Sequence, residues 1–501
     1  MRSPFRQIQR IASLTGLTLI SAAIATSPIA AQKAAQDGIT REETAARRKA
    51  LAERLENGVL VSYGGRALVH DFSAFYQLPS FRYLTELNEP DHALVMVIKD
   101  KVPQATLYLT PLDARTAFYY GQRLDSATSV ARTGMPARSF GALAGVLDSL
   151  ARAGQPFWHI PDVETTDFSR LDTLTRGQET VKALTKAYPS IVIKNAMPQV
   201  LAVRGRKSAA ELALIRKAVE ISTEGHRSAM LTANPLHEYE LRAALEYEFT
   251  RRGAERPAYG SIVGGGYNGT TLHYMKDSDP VKPGDLVVMD AGAEYRGYAA
   301  DITRTIPVSG KFTAEQRALY QLVRDAQAAA ERNSKPGMNI RAAADSSVAV
   351  RVRGLAALGL IESEDAMYDP PWRVDCTASP ASCKQANLWT IHGITHGIGL
   401  AVHDPMQADA RRDGVFHEGD AFTIEPGVYV STKALDVLPD TPRNRQFKAK
   451  VLAAVKRYEN TGVRIEDDYI ITDKGLERLS LVPREIDEIE ALMARRRVIQ
   501  P

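Results

Sequence analysis

Cysteine is nearly absent. The 501 residues hold two, Cys376 and Cys383, which excludes a disulfide-built scaffold and a thiolate-rich zinc site. A strong charge of one sign is missing too. The formal net charge is +4. It is about +1 without Arg2, Arg6 and Arg10, which leaves no electrostatic footprint for nucleic acid. Long apolar runs are missing beyond the N-terminus, so no internal segment reaches the roughly twenty residues of a membrane span. No short-period repeat is evident. What is present is 44% hydrophobic and 24% charged residues, the balance of a soluble globular chain with two or three domains.

Residues 1–31 read as a signal peptide. Arg2, Arg6 and Arg10 precede an apolar stretch from Ile11 to Ala25, and small residues follow at Ser27, Ala30 and Ala31. The stretch is about fifteen residues, short for a span; an uncleaved anchor is the alternative. An exported protein, periplasmic or secreted, is expected, with no stable membrane insertion. In that setting the close Cys376/Cys383 pair is a disulfide candidate, worth about 2.5 kcal/mol on the chain-entropy model. Without export, two free thiols are the reading.

Residues 32–41 are small and polar, a linker. An N-terminal α/β domain is expected over 42–202, opening with a helix from Arg41 to Asn57. Strand-like runs follow at Val59–Tyr63, Ala93–Ile98 and Gln104–Thr110, and a helical pattern runs from Ser139 to Ala153. Ser208-Ala-Ala-Glu211 is a capping box that starts a second domain, 203–501. Its helix has an apolar stripe at Leu212, Ile215, Ala218, Val219 and Ile221. Further helices are expected from His237 to Arg252, after Thr313, and from Asn339 to Ala357. Residues 362–388 read as a loop insertion, 389–473 as strands, and Pro483 to Arg497 as a charged helix.

Five residues then read as one metal cage: Asp290, Asp301, His396, Glu425 and Glu466. Asp290 ends the apolar run Leu286-Val287-Val288-Met289, and a carboxylate there is costly to bury without a partner. Gly292 and Gly297 lie between the two aspartates, so antiparallel strands joined by a turn bring them together. Hard oxygen ligands with one imidazole suit Mn, Co, Fe or Zn. Four carboxylates balance two divalent ions, and a bridging hydroxide would be the nucleophile. Taken singly the residues are weaker signals. His392 and His396 also fit a packed histidine pair, and Glu466-Asp467-Asp468 a solvated acidic face.

The motifs carrying these residues resemble the pita-bread metallopeptidases, and aminopeptidase P in particular. They are Asp290-Ala-Gly-Ala-Glu-Tyr-Arg-Gly-Tyr-Ala-Ala-Asp301, His392-Gly-Ile-Thr-His396-Gly-Ile-Gly-Leu-Ala-Val-His403-Asp404, Glu425-Pro-Gly-Val-Tyr429 and Arg464-Ile-Glu466. Tyr259 to Tyr274 and Phe81 to Pro90 match as well. The resemblance implies an α/β chain whose catalytic domain is a pseudo-symmetric curved sheet wrapped by helices. It implies two divalent metals, manganese first, with cobalt or zinc as alternatives. Asp301 and Glu466 would bridge them, with Asp290, His396 and Glu425 completing the shell. Glu425 would shuttle the proton. His273, His392 and His403 would contact substrate, with Tyr429, Arg464 and Arg412 in or near the pocket. The implied reaction removes an N-terminal residue that precedes proline. A prolidase limited to Xaa-Pro dipeptides and a broader aminopeptidase are the alternatives. Dimers or tetramers are implied too. After His403 the chain departs from the family's usual small turn and aromatic, running Pro405 to Arg412, which implies altered proline selection.

Overall fold

The computed structural model describes residues 38–496 apart from 67–73, 111–114, 116, 119–120, 162–174 and 233. The signal peptide and most of the linker expected from the sequence lie outside these residues.

Residues that are apolar on both faces make the central strand of the first sheet. β1 (Gly58–Tyr63) is buried along its whole length. It pairs antiparallel with β2 (Ala93–Lys99), which pairs antiparallel with β3 (Val102–Leu109). Three short strands, β4 (Ala137–Ser139), β5 (Phe157–His159) and β6 (Ile193–Asn195), complete the order β4-β3-β2-β1-β5-β6. The first helix, Arg41–Arg54, is capped by Thr40, whose hydroxyl accepts the Glu43 amide. It ends three residues before Asn57, because Leu55 is already extended. The Ser139–Ala153 pattern resolves into the last residue of β4, a single 3₁₀ turn, and a helix at Leu143–Arg152.

A helix at Met197–Arg204 runs through the domain boundary. Ser208 and Glu211 form the capping box of the helix Ala209–Leu231, with both reciprocal bonds present. That helix packs on Glu238–Arg251, and the two touch strands of one half of the catalytic sheet. Ala314–Arg332, capped by Thr313, packs on Ile340–Ala357, and the former touches strands of the other half. Two helix pairs behind two sheet halves are the two-fold repetition of a pita-bread domain.

One half contains β7 (Arg256–Pro257), β8 (Ile262–Gly265), β9 (Leu286–Asp290), β10 (Ala293–Tyr295), β11 (Tyr298–Ala299) and β12 (Thr303–Pro307). The other contains β13 (Ala421–Ile424), β14 (Gly427–Val430), β15 (Thr461–Arg464), β16 (Asp467–Thr472) and β17 (Gly475–Arg478). They meet at Thr303, which pairs with Asp290 on one side and bridges to Glu466 on the other. The core joins the domains: Leu60 and Phe81 of the first belong to the same buried cluster as Tyr298 and Val428 of the second.

The region 389–473 is not all strand. Residues 389–420 are mostly loop, and helices Thr432–Asp436 and Pro442–Arg457 interrupt the later part. Thr441 caps the longer helix and Pro442 fits its first position. Its buried residues, Asn444, Phe447, Val451 and Val455, recur at helical spacing. The 362–388 segment holds only two 3₁₀ turns among irregular backbone, and Cys376 and Cys383 are bonded there with Cα atoms 5.7 Å apart. The C-terminal helix is Ile486–Met493, shorter than its charged pattern, and it buries Ile486, Ile489, Leu492 and Met493.

Candidate metal centre and substrate cleft

β9 and β12 set two of the acids. Their register puts Asp290 opposite Thr303, two residues past Asp301. The chain between the aspartates is a tight hairpin. Arg296 and Gly297 both have positive φ at its turn, the geometry that matches strand twist. A Cβ on Gly292 would sit on the Ala300 carbonyl oxygen, so only glycine lets these strands cross so closely.

His396 lies on a segment laid along β13, and Glu425 directly follows that strand. The Thr423 amide donates to the His396 carbonyl at 2.9 Å, and the Glu425 amide to that of Ile394 at 2.8 Å. Their side chains then converge with the aspartate pair. His396 Nε2 is 3.5 Å from Asp301, 3.4 Å from Glu425 and 3.8 Å from Glu466. Ligands about 2.1 Å from one ion stand about 3.4 Å apart in tetrahedral geometry, so these spacings suit a shared cation. Asp301, His396 and Glu466 each offer one ligand atom within 4.8 Å of the others.

The acids are pushed in opposite directions. Burial pushes Asp301 well up, and Asp290 and Asp468 push it further. Glu466 is raised by burial and then by Asp301, Glu425 and Asp290. Burial also acts against Asp290, but Arg464 and the Tyr259 hydroxyl hold it below the ordinary range. Glu425 is likewise held down, by His392 and His396, against its burial. Like carboxylates in a desolvated site cannot all ionise without a counter-charge. Glu466 Oε1 is buried with no hydrogen-bond donor among the described residues, although Oε2 accepts from Thr303 at 2.7 Å. A buried, acceptor-only oxygen beside an imidazole fits a divalent cation.

A relay of neutral and cationic donors braces the cage. Arg464 donates to Asp290 at 2.6 Å, to Thr303 Oγ1 at 3.1 Å and to the Tyr429 hydroxyl at 2.8 Å. Tyr429 Oη lies 2.8 Å from His392 Nε2, whose Nδ1 lies 3.4 Å from Glu425. Burial pushes the Tyr429 hydroxyl up to about 12, so it stays protonated. Tyr259 was not assigned a role from the sequence. Its hydroxyl touches both aspartates, 2.5 Å from each. The tyrosine was visible in the matching stretch, but nothing in its neighbours signalled a donor shared between two acids.

Glu466-Asp467-Asp468 is no solvated face, since all three are buried. Asp467 pairs with Arg304 and Arg484. Asp468 accepts the Asp301 amide. His392 and His396 are not a packed pair either, because both line the cleft.

The cleft measures about 1030 Å³. His273 and His403 line it with the five acids and imidazoles of the cage and Arg464. His273 is exposed in a turn, not packed under a sheet, and His403 is exposed with its ring 4.1 Å from that of His396. Leu78 and Pro79 reach in from the N-terminal domain. Arg412 is not among the lining residues: it is exposed at the end of the helix Gln407–Arg411, with φ 55°. That short helix lies within the Pro405–Arg412 stretch, where the sequence departs from the family's usual small turn and aromatic.

A curved two-fold sheet around a carboxylate–imidazole cage defines a metal-dependent hydrolase. The comparisons agree. The model of metallopeptidase family M24 matches residues 213–473, and that of the aminopeptidase P N-terminal domain matches residues 44–157. The chain is 33% identical to a Xaa-Pro aminopeptidase of Haemophilus influenzae, over 84% of this chain and 88% of that one. It is 32% identical to the Xaa-Pro aminopeptidase of Escherichia coli, over 91% and 98%. The Arabidopsis thaliana protein called intermediate cleaving peptidase 55, mitochondrial, is 30% identical over 91% and 83%. A structure of zinc-substituted E. coli aminopeptidase P in complex with product superposes with a TM-score of 0.75 and 30% identity, covering 92% of this chain and all of that one. The chain belongs to the aminopeptidase P family of M24 metallopeptidases.

Proposed function

We propose that this protein is a metal-dependent exopeptidase that hydrolyses the bond between an N-terminal residue and a following proline. The observation that carries the reading is the complete cage with His273, His392 and His403 around it. Two divalent cations, manganese before cobalt or zinc, would be held by Asp290, Asp301, His396, Glu425 and Glu466. When bound they supply the acidity that makes water a nucleophile near neutral pH. Glu425 accepts the proton and passes it towards the leaving amine. His392 orients Glu425, and the Tyr429–Arg464 pair holds His392 in turn. Arg464 keeps Asp290 ionised. His273 and His403 face the peptide from the rim and hold the carbonyl oxygen or the proline as the bond breaks.

A panel of Xaa-Pro-(Xaa)n and Xaa-Ala-(Xaa)n peptides, with Mn, Co and Zn supplied in turn, tests the assignment. Cleavage of longer Xaa-Pro peptides is expected. Activity confined to dipeptides would make the protein a prolidase. Equal cleavage of alanine peptides would favour a broad aminopeptidase, a reading supported by the changed loop at Pro405–Arg412. His403→Ala should lower turnover about a hundredfold with metal retained, read by steady-state kinetics and metal analysis. Export rests on residues 1–31 and the disulfide. Cell fractionation decides it, and sedimentation decides between dimer and tetramer.

A further inference from the structure

The cleft is lined from both domains: Leu78 and Pro79 come from the N-terminal one, and Ala401, Val402 and His403 are among those from the catalytic one. Behind them lies a buried ionic cluster of Arg204, Lys207 and Asp404, with 2%, 5% and 6% of their surfaces exposed. Asp404 follows His403 directly. Its carboxylate pairs with Arg204 through one oxygen and Lys207 through the other. The Lys207 ammonium has three hydrogens, and each has an acceptor: Asp404, the Arg204 carbonyl at 2.9 Å and the Pro405 carbonyl at 3.1 Å. Arg204 also donates to Ser80 Oγ at 3.0 Å, next in sequence to Pro79. The Asp404 amide donates to the Gly397 carbonyl at 2.8 Å, one residue beyond His396. At Gly205 a Cβ would lie 2.6 Å from the Met406 carbonyl oxygen, so the two backbones touch.

Two cations and one anion are an expensive way to fill a core. Apolar residues of the same volume usually serve stability as well or better. What this cluster supplies is geometry: it ties the residue after His403, the residue after Pro79 and the strand-like segment of His396 to one point. We propose that Arg204 and Lys207 are positioning residues that grip Asp404 and thereby fix His403 and the separation of the cleft walls. The proposal rests on His403 acting on the peptide, as assigned above.

The test uses the full chain loaded with manganese and the variants Lys207→Met and Arg204→Lys. Lys207→Met should keep its metal content and lose about ten- to hundredfold in kcat on a Xaa-Pro peptide, with a smaller change in KM. Hydrogen exchange at the Asp404 amide should quicken while exchange in β9 stays as in the wild type. Arg204→Lys keeps the charge but lacks the fork that spans Asp404 and Ser80, so it should fall between the two. If Lys207→Met does not fold, Arg204→Lys carries the comparison with the wild type. Wild-type kcat with unchanged exchange would overturn the proposal. So would loss of metal in step with activity, since the cluster would then support the cage as a whole. If the wild type cleaves no Xaa-Pro peptide, the functional assignment fails, and the exchange measurement still decides the role of the cluster.

Discussion

At the scale of single residues, the cage works because identical groups are made unequal. Arg464 and Tyr259 hold Asp290 below the ordinary carboxylate range, while burial and then the neighbouring carboxylates push Asp301 and Glu466 above it. Glu425→Gln removes the proton acceptor and should lower turnover by about 10²–10⁴-fold; a stopped assay with matched metal content checks this. Glu86 gives a separate test, outside the site. Burial pushes its carboxyl up to about 7, against the pull of Arg82 and Arg47. The folded state therefore binds a proton that the unfolded state has released. The stability linked to this group is present below the ordinary glutamate range and is lost as pH rises towards about 7. Glu86→Gln should raise Tm more at about pH 8 than at about pH 5, read by calorimetry at both. The cage residues were legible in the sequence because metal chemistry restricts which side chains can serve. Tyr259 and the grip on Asp404 were not, since a hydroxyl and an ion pair between residues about 200 positions apart leave no local pattern.

Secondary elements were readable where their ends carry chemistry. Ser208 with Glu211 and Thr313 with Gln316 mark helix starts by reciprocal bonds that depend on two side chains three apart. The helix Pro442–Arg457 carried the same kind of signal in Thr441-Pro442, but it lies among strands whose apolar runs dominate the pattern. The hairpin between the aspartates depends on close backbone approach. Gly292→Ala should cost about 1–3 kcal/mol as Ala300 is pushed away. Denaturant unfolding measures the loss, and metal content should fall with it because Asp290 and Asp301 separate. The disulfide is a smaller matter. Lys384 pairs with Asp365, Gln385 holds Glu362, and Asn444 holds Asp369, so the insertion has other anchors. Replacing both cysteines by serine should cost at most about 2.5 kcal/mol and leave metal and kcat unchanged.

For the whole molecule, the N-terminal domain is a structural part of the catalytic one. Arg82 pairs with both oxygens of Glu255, at 2.9 and 3.0 Å. Glu43 accepts the Ser208 hydroxyl at 2.6 Å, and the Tyr298 hydroxyl donates to Glu211 at 3.1 Å beneath Arg47. A chain beginning at Ser208 would expose the apolar face that packs on Leu60 and Phe81, and should show no cooperative unfolding transition by circular dichroism. The two-domain order was legible because the capping box at Ser208 marks a start. That the domains share one core was not, since burial between distant segments has no signature in either.

Arg47 donates to Tyr298, 251 residues further along the chain. Ribosomes add about 5–20 residues per second, so the arginine emerges roughly 13–50 s before its partner. Until the hairpin around Tyr298 exists, the face of the first helix is an unfinished surface. Completion of that face therefore waits on synthesis of the chain's second half.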